Sequence, residues 1–115
     1  MSRHDDRARL LHMLDHAREA VAMTVGCTRL DLDRDRQLNL ALVRLLEITG
    51  EAASRVTPQT KVLLPGIPWA DITGLRHRVV HGYDQVDLDV VWETIVGDLP
   101  HLIAQLELYL RAEES

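Results

Sequence analysis

The segment LRHRVVHGY, residues 75–83, sets two arginines, two histidines and a tyrosine around a Val-Val pair. These are groups that can work on phosphates. A guanidinium stays charged and matches phosphate oxygens, so Arg76 can hold an anion or stabilise one as it forms. An imidazole titrates near neutrality, so His81 can give and take protons. A structural reading accounts for the same residues: cations near a helix C-terminus are favoured by the macrodipole, and Gly82 is the residue expected just past a helix end. Helical geometry also separates the pair. Residues five apart lie about 140° apart on a helix, so Arg76 and His81 diverge unless the helix tightens or ends between them. Tyr83, seven residues after Arg76, returns to its face only if the helix persists.

Other chemistry-bearing residues are less specific. His12 and His16 stand four apart, a spacing that can hold a metal, but neither the Glu of a His-Glu-x-x-His arrangement nor a third ligand accompanies them. They read as polar-face histidines, and no metal is expected. Cys27 is the single cysteine, which excludes an internal disulfide, and it reads as a small, half-buried apolar residue. Glu47 and Glu51 flank Gly50. They read equally as solvated carboxylates or as polar groups lining a cleft.

The elements that must position these groups are helical. Hydrophobic residues make up 46% of the 115-residue chain and are almost wholly aliphatic, with no Phe, which suits interdigitating helices better than sheets. An all-α, up-down bundle of four to five helices in one domain, residues 1–115, is expected. A chain this short has reason to pair. No run of 18 apolar residues occurs, and the charged start MSRHDDRAR leads into no signal-peptide core, so a cytoplasmic protein without a membrane segment is expected. A net charge of −5 speaks against broad coating of nucleic acid; any such contact must be local.

Asp5 or Asp6 can cap a first helix with Leu10, Leu14, Ala17 and Val21 at helical spacing, widened by Leu11, Ala20 and Val25 and ended by Gly26. The stretch TRLDLDRDRQ reads as an extended linker or as the first turn of helix two, capped by Asp33 or Asp35. Leu38, Leu42, Leu45, Leu46 and Ala52 then carry that helix to about Val56, before Pro58. Gly50 inside it costs about 1 kcal/mol relative to Ala, so it marks close helix packing. After a Pro-rich loop with one helical turn near residues 59–63, Pro68 opens a third helix with Trp69, Ile72, Leu75 and Val79 inward, ended by Gly82. Asp87 caps a last helix, which Pro100 should kink or split.

Arg76, four residues, His81, one residue, Tyr83 resembles the active-site motif of HEPN-domain ribonucleases, in particular the HepT-like toxins of HEPN and minimal-nucleotidyltransferase toxin–antitoxin pairs. LEITGEAASRV (46–56), IPWADITGLRHRVVHGY (67–83) and DLDVVWETIVGDLPHLIAQL (87–106) are similar to that family's successive segments, in order and over nearly the whole chain. Two positions depart from its pattern: His77 stands where Asn or Asp is common after the motif arginine, and Thr49 where a branched aliphatic is usual.

The resemblance implies a HEPN-like homodimer whose two motifs meet across a cleft. It implies a metal-independent endoribonuclease without cofactor, in which the RNA 2′-hydroxyl attacks the adjacent phosphate. His81 would be the general acid/base and Arg76 would stabilise the phosphorane, leaving a 2′,3′-cyclic phosphate and a 5′-hydroxyl. It implies further that a minimal nucleotidyltransferase antitoxin adds AMP to Tyr83. His77, Arg78 and Glu51 are candidate substrate contacts. The alternative is a catalytically silent, dimeric helical adaptor or substrate-binding partner of a nucleotidyltransferase.

Overall fold

The computed structural model describes residues 3–83 and 85–114. Three long helical units carry the core, and short helices join them. Helix α1 (Arg3–Met23) buries Leu10, Met13, Leu14, Ala17 and Ala20, a stripe of period three to four. It begins before the expected caps: Asp5 and Asp6 lie inside its first turn. Leu11 and Val25 are exposed, so the buried face is narrower than the sequence suggests.

The stretch expected to be a linker or the first turn of helix two is a helix of its own, α2 (Arg29–Arg34), which buries Leu32. Thr28 N–H, at its start, donates to the Asp31 carboxylate at 2.7 Å. Asp35 then caps α3 (Arg36–Ser54) by accepting from Leu38 N–H at 3.0 Å. Helix α1 runs antiparallel to α3 and to the C-terminal helix: Asp6 meets Thr57 just past the end of α3, and Arg7 and Arg18 pair with Glu114 and Glu107.

After the short helix α4 (Pro58–Lys61), the expected third helix divides into α5 (Trp69–Thr73) and α6 (Leu75–Val79), broken at Gly74. Gly50 explains how they are seated. A Cβ there would lie 2.9 Å from the Ile72 carbonyl oxygen, so only glycine lets α3 approach this closely. Helix α6 ends three residues before Gly82. Val80 instead pairs with Val86 in an antiparallel bridge, His81 N–H donates to Gln85 O at 2.7 Å, and Asp87 N–H donates to Val79 O at 2.8 Å. The β-branched Val79-Val80 pair suits this extended exit better than a further helical turn. Gly82, with φ +93°, serves the hairpin turn instead of closing the helix.

Asp87 caps α7 (Leu88–Glu93) by accepting from Val90 N–H. The break expected at Pro100 appears just upstream of it, as a π-helical turn over Thr94–Asp98 that leads into α8 (Leu99–Glu113). Leu99 N–H reaches back to Thr94 O, and Pro100, with no N–H, sits at the start of the new helix where none is needed. Among the described residues no helix is long and apolar enough to cross a membrane.

Candidate active site

Arg76 projects from α6 with 72% of its side chain exposed. Its Nε stands 3.5 Å from Glu47 Oε2 on α3, an ion-pair distance. The two residues share a cleft of about 670 Å³ with Leu40, Val43, His77 and Tyr83. Tyr83 is fully exposed, at 105% of its reference area. It borders Arg76's cleft from the hairpin, not from the persisting helix that would have returned it to the face of Arg76.

His81 opens on the other side of that hairpin. In extended backbone successive side chains alternate faces, so with Val80 lining the Arg76 cleft, His81 points away from it. Its cleft, about 560 Å³, is lined by Arg29 and Asp33 of α2 and by Asp87 and Asp89. His81 Nε2 lies 3.9 Å from Asp87 Oδ2, with the imidazole 53% exposed. Arg29 donates from Nε to Asp89 at 2.7 Å and from Nη1 to Asp33 at 3.2 Å. These contacts, that with Asp89 foremost, hold its guanidinium above the ordinary arginine value. The chain therefore places the Arg76 guanidinium in one cleft and the His81 imidazole in the next.

The ribonuclease HepT-like family matches residues 13–108, a span that includes the motif and most of the helices that hold it. A protein of Caldanaerobacter subterraneus subsp. tengcongensis, named as a candidate RNase, is 32% identical over 94% of this chain and 96% of its own length. The chain belongs to the HepT-like ribonuclease family. A HepT-like relative in Methanocaldococcus jannaschii, also named as a candidate RNase, is 27% identical over 94% of this chain and 99% of its own. One from Thermococcus cleftensis, named as a probable ribonuclease HepT, is 37% identical over 64% of this chain and 66% of its own. No solved structure matches the chain.

Within this HepT-like fold the other candidate residues scatter. Glu51 is exposed, pairs with Arg55 at 3.1 Å, and lines a separate cleft of about 440 Å³ between α1 and α3, together with Arg9, His12 and His16. Of the two carboxylates flanking Gly50, it is Glu47 that meets the motif. His77 lies in Arg76's cleft, whereas Arg78 is half-buried and lines neither motif cleft. His16 Nδ1 is 2.6 Å from the His12 carbonyl oxygen. Among the described residues no three His, Cys, Asp or Glu side chains are grouped to hold a metal.

Two contacts escape a sequence reading. Glu47 was visible as a cleft candidate but not as the partner of Arg76, since nothing in a helical stripe says which α3 residue a distant helix will meet. Asp87 was visible as a cap, and its second oxygen facing His81 follows only from the hairpin. The available signal was Val80 and Val86 on either side of a short loop containing Gly82, a weak hairpin pattern.

Proposed function

We propose that this HepT-like chain is a metal-independent endoribonuclease, acting as a cytoplasmic homodimer and restrained by a minimal nucleotidyltransferase antitoxin that adds AMP to Tyr83. The observation that carries the reading is the exposure of Arg76 and His81 on the two sides of one hairpin, each beside a carboxylate at ion-pair distance rather than locked in a short hydrogen bond. A guanidinium held this way can exchange its carboxylate for a substrate phosphate, and an imidazole held this way keeps a ring nitrogen free for proton transfer.

RNA brings its own nucleophile. His81 removes the proton of the 2′-hydroxyl as its oxygen attacks the adjacent phosphorus, and Arg76 stabilises the charge of the five-coordinate phosphorane. The bond to the 5′-oxygen then breaks, and the departing oxygen takes a proton from imidazolium. A 2′,3′-cyclic phosphate and a 5′-hydroxyl result. The separation of Arg76 and His81 within one protomer supports a composite site, in which a two-fold axis beside the hairpin sets one protomer's motif against its partner's. Leu40 and Val86, both exposed, supply an apolar margin for that contact. Pairing also concentrates four basic groups on a chain that is acidic overall. His77 is placed to touch the same substrate as Arg76.

The fully exposed Tyr83 borders the Arg76 cleft. AMP attached there would set a phosphate against the guanidinium and fill the space that RNA needs. The test is cleavage of RNA by the purified dimer in the presence of chelator, with end-group analysis for the cyclic phosphate, followed by coexpression with the adjacent nucleotidyltransferase and intact mass of wild type and Tyr83→Phe. Cleavage that survives chelator, and AMP addition lost in Tyr83→Phe, are expected. Wild-type dimer that binds the nucleotidyltransferase yet leaves RNA intact would favour the silent adaptor.

A further inference from the structure

We propose that Asp87 is the positioning residue of His81: it fixes the imidazole as the Nε2–H tautomer and so makes Nδ1 the atom that exchanges protons with RNA, an inference that rests on the ribonuclease reading of His81. Asp87 divides its carboxylate between two tasks. Oδ1 accepts from Val90 N–H at 3.1 Å and caps α7, while Oδ2 faces His81 Nε2 at 3.9 Å. The other carboxylates of this cleft are committed elsewhere, since Asp33 and Asp89 both hold Arg29. Asp87 Oδ2 is thus the carboxylate oxygen left for the imidazole.

The backbone fixes how far apart the two residues stand. His81 N–H donates to Gln85 O and Asp87 N–H donates to Val79 O, so both sit at the base of one hydrogen-bonded hairpin. At 3.9 Å the contact is longer than a hydrogen bond, but a small rotation of the half-exposed ring closes it, and catalytic hydrogen bonds commonly tighten only once substrate is bound. The tautomer follows from donor and acceptor chemistry. An ionised carboxylate only accepts, so the nitrogen facing it must carry hydrogen, and in neutral imidazole the other nitrogen then holds the lone pair. Nδ1 takes the 2′-hydroxyl proton, and the resulting imidazolium is stabilised through Nε2–H by Asp87.

Asp87→Asn separates this role from capping. The Asn carbonyl oxygen still accepts from Val90 N–H, because Asn is as good a cap as Asp. Its NH₂ then replaces Oδ2 opposite Nε2, which calls for a lone pair there and moves the hydrogen to Nδ1. The expected result is wild-type helix content and melting temperature, a switch of the His81 nitrogen NMR pattern from Nε2–H to Nδ1–H, and a fall in kcat of at least about 10-fold with KM within about 2-fold of wild type. Asp87→Ser, which also caps but is too short to reach His81, should show mixed tautomers and an intermediate kcat. A predominantly Nδ1–H tautomer in the wild type, or wild-type kcat in Asp87→Asn, overturns the assignment. The NMR measurement needs no turnover, so a wild type that cleaves nothing defeats the ribonuclease reading while the same spectra still decide whether Asp87 orders the ring.

Discussion

Two regions beside α3 treat carboxylates in opposite ways. At its C-terminal end Asp6, 2% exposed, reaches from α1 and accepts hydrogen bonds from Thr57 N–H, Thr57 Oγ1 and Thr60 Oγ1. On its middle turns Glu47 stands 3.5 Å from Arg76, and at the base of the hairpin beyond it Asp87 stands 3.9 Å from His81, all with exposed or half-exposed partners. The first carboxylate is saturated and holds distant segments together. The second pair leaves hydrogen-bonding capacity unspent beside the groups that would do chemistry. If the proposed chemistry holds, stability and activity rest on different acidic residues, and single substitutions should separate them.

The largest effect is expected at the motif. His81→Ala should cut RNA about 10²–10⁴-fold more slowly, the usual cost of losing a positioned acid/base, while the melting temperature and dimer mass stay at wild-type values. Cleavage at the normal rate would remove the contrast between the two regions altogether.

Asp6→Ala should do the reverse. It strands two threonine hydroxyls and a backbone N–H, and should lower unfolding free energy by about 3 kcal/mol in urea titrations, with cleavage per folded molecule unchanged. Its pH dependence sharpens the point. Burial pushes the Asp6 carboxyl up, but the hydrogen bonds from Thr57 and Thr60, helped by Arg9, outweigh it and hold the group below its ordinary value of 3.8. A depressed folded value means that the unfolded chain binds the proton more readily. The contribution of Asp6 is therefore complete above the unfolded value and is lost as pH falls through the folded one. Asp6→Asn should flatten the acid limb of stability below about pH 4. An unchanged acid limb would show that other carboxylates govern it.

Gly50→Ala should affect stability and cleavage at once. The added methyl must displace the Ile72 carbonyl, 2.9 Å away, at a cost of about 1–3 kcal/mol, and α5 and α6 should move with it. Reduced cleavage together with a lower melting temperature is expected, measured on the same preparation. The smallest effect is expected from Glu47→Gln. Its partner is largely exposed and solvent screens the pair, so stability should change by less than about 0.5 kcal/mol. A larger loss in thermal unfolding would place Glu47 with Asp6 as a structural carboxylate.

The core helices were legible because a stripe of leucines states its own period. Leu42, Leu45 and Leu46 of α3 were expected inward and are buried. Asp35 and Asp87 announced helix starts for an equally local reason, since a cap bonds a backbone N–H three residues on. The motif was legible from residue order. What stayed hidden was non-local. Asp6 read as a helix cap because its partners lie some fifty positions away. The hairpin was hidden because Val79 and Val80 continue a helical stripe as readily as they begin an extended strand, and Gly82 ends either one. With it went the division of Arg76 and His81 between two clefts, and the difference between Glu47 and Glu51.

The π-helical turn before Pro100 works as a swivel. In an unbroken α-helix, at about 100° per residue, Leu88, Val91, Ile95, Leu99, Leu102 and Leu106 would fall along one line and could face only one neighbour. Each residue of the π turn rotates the chain by less than that, so the stripe changes heading partway along. Ahead of the turn α7 packs on α2, α3 and α6, the elements around the hairpin, and after it α8 packs on α1. One continuous rod thereby serves as a wall of the His81 cleft at one end and as a stave of the bundle at the other.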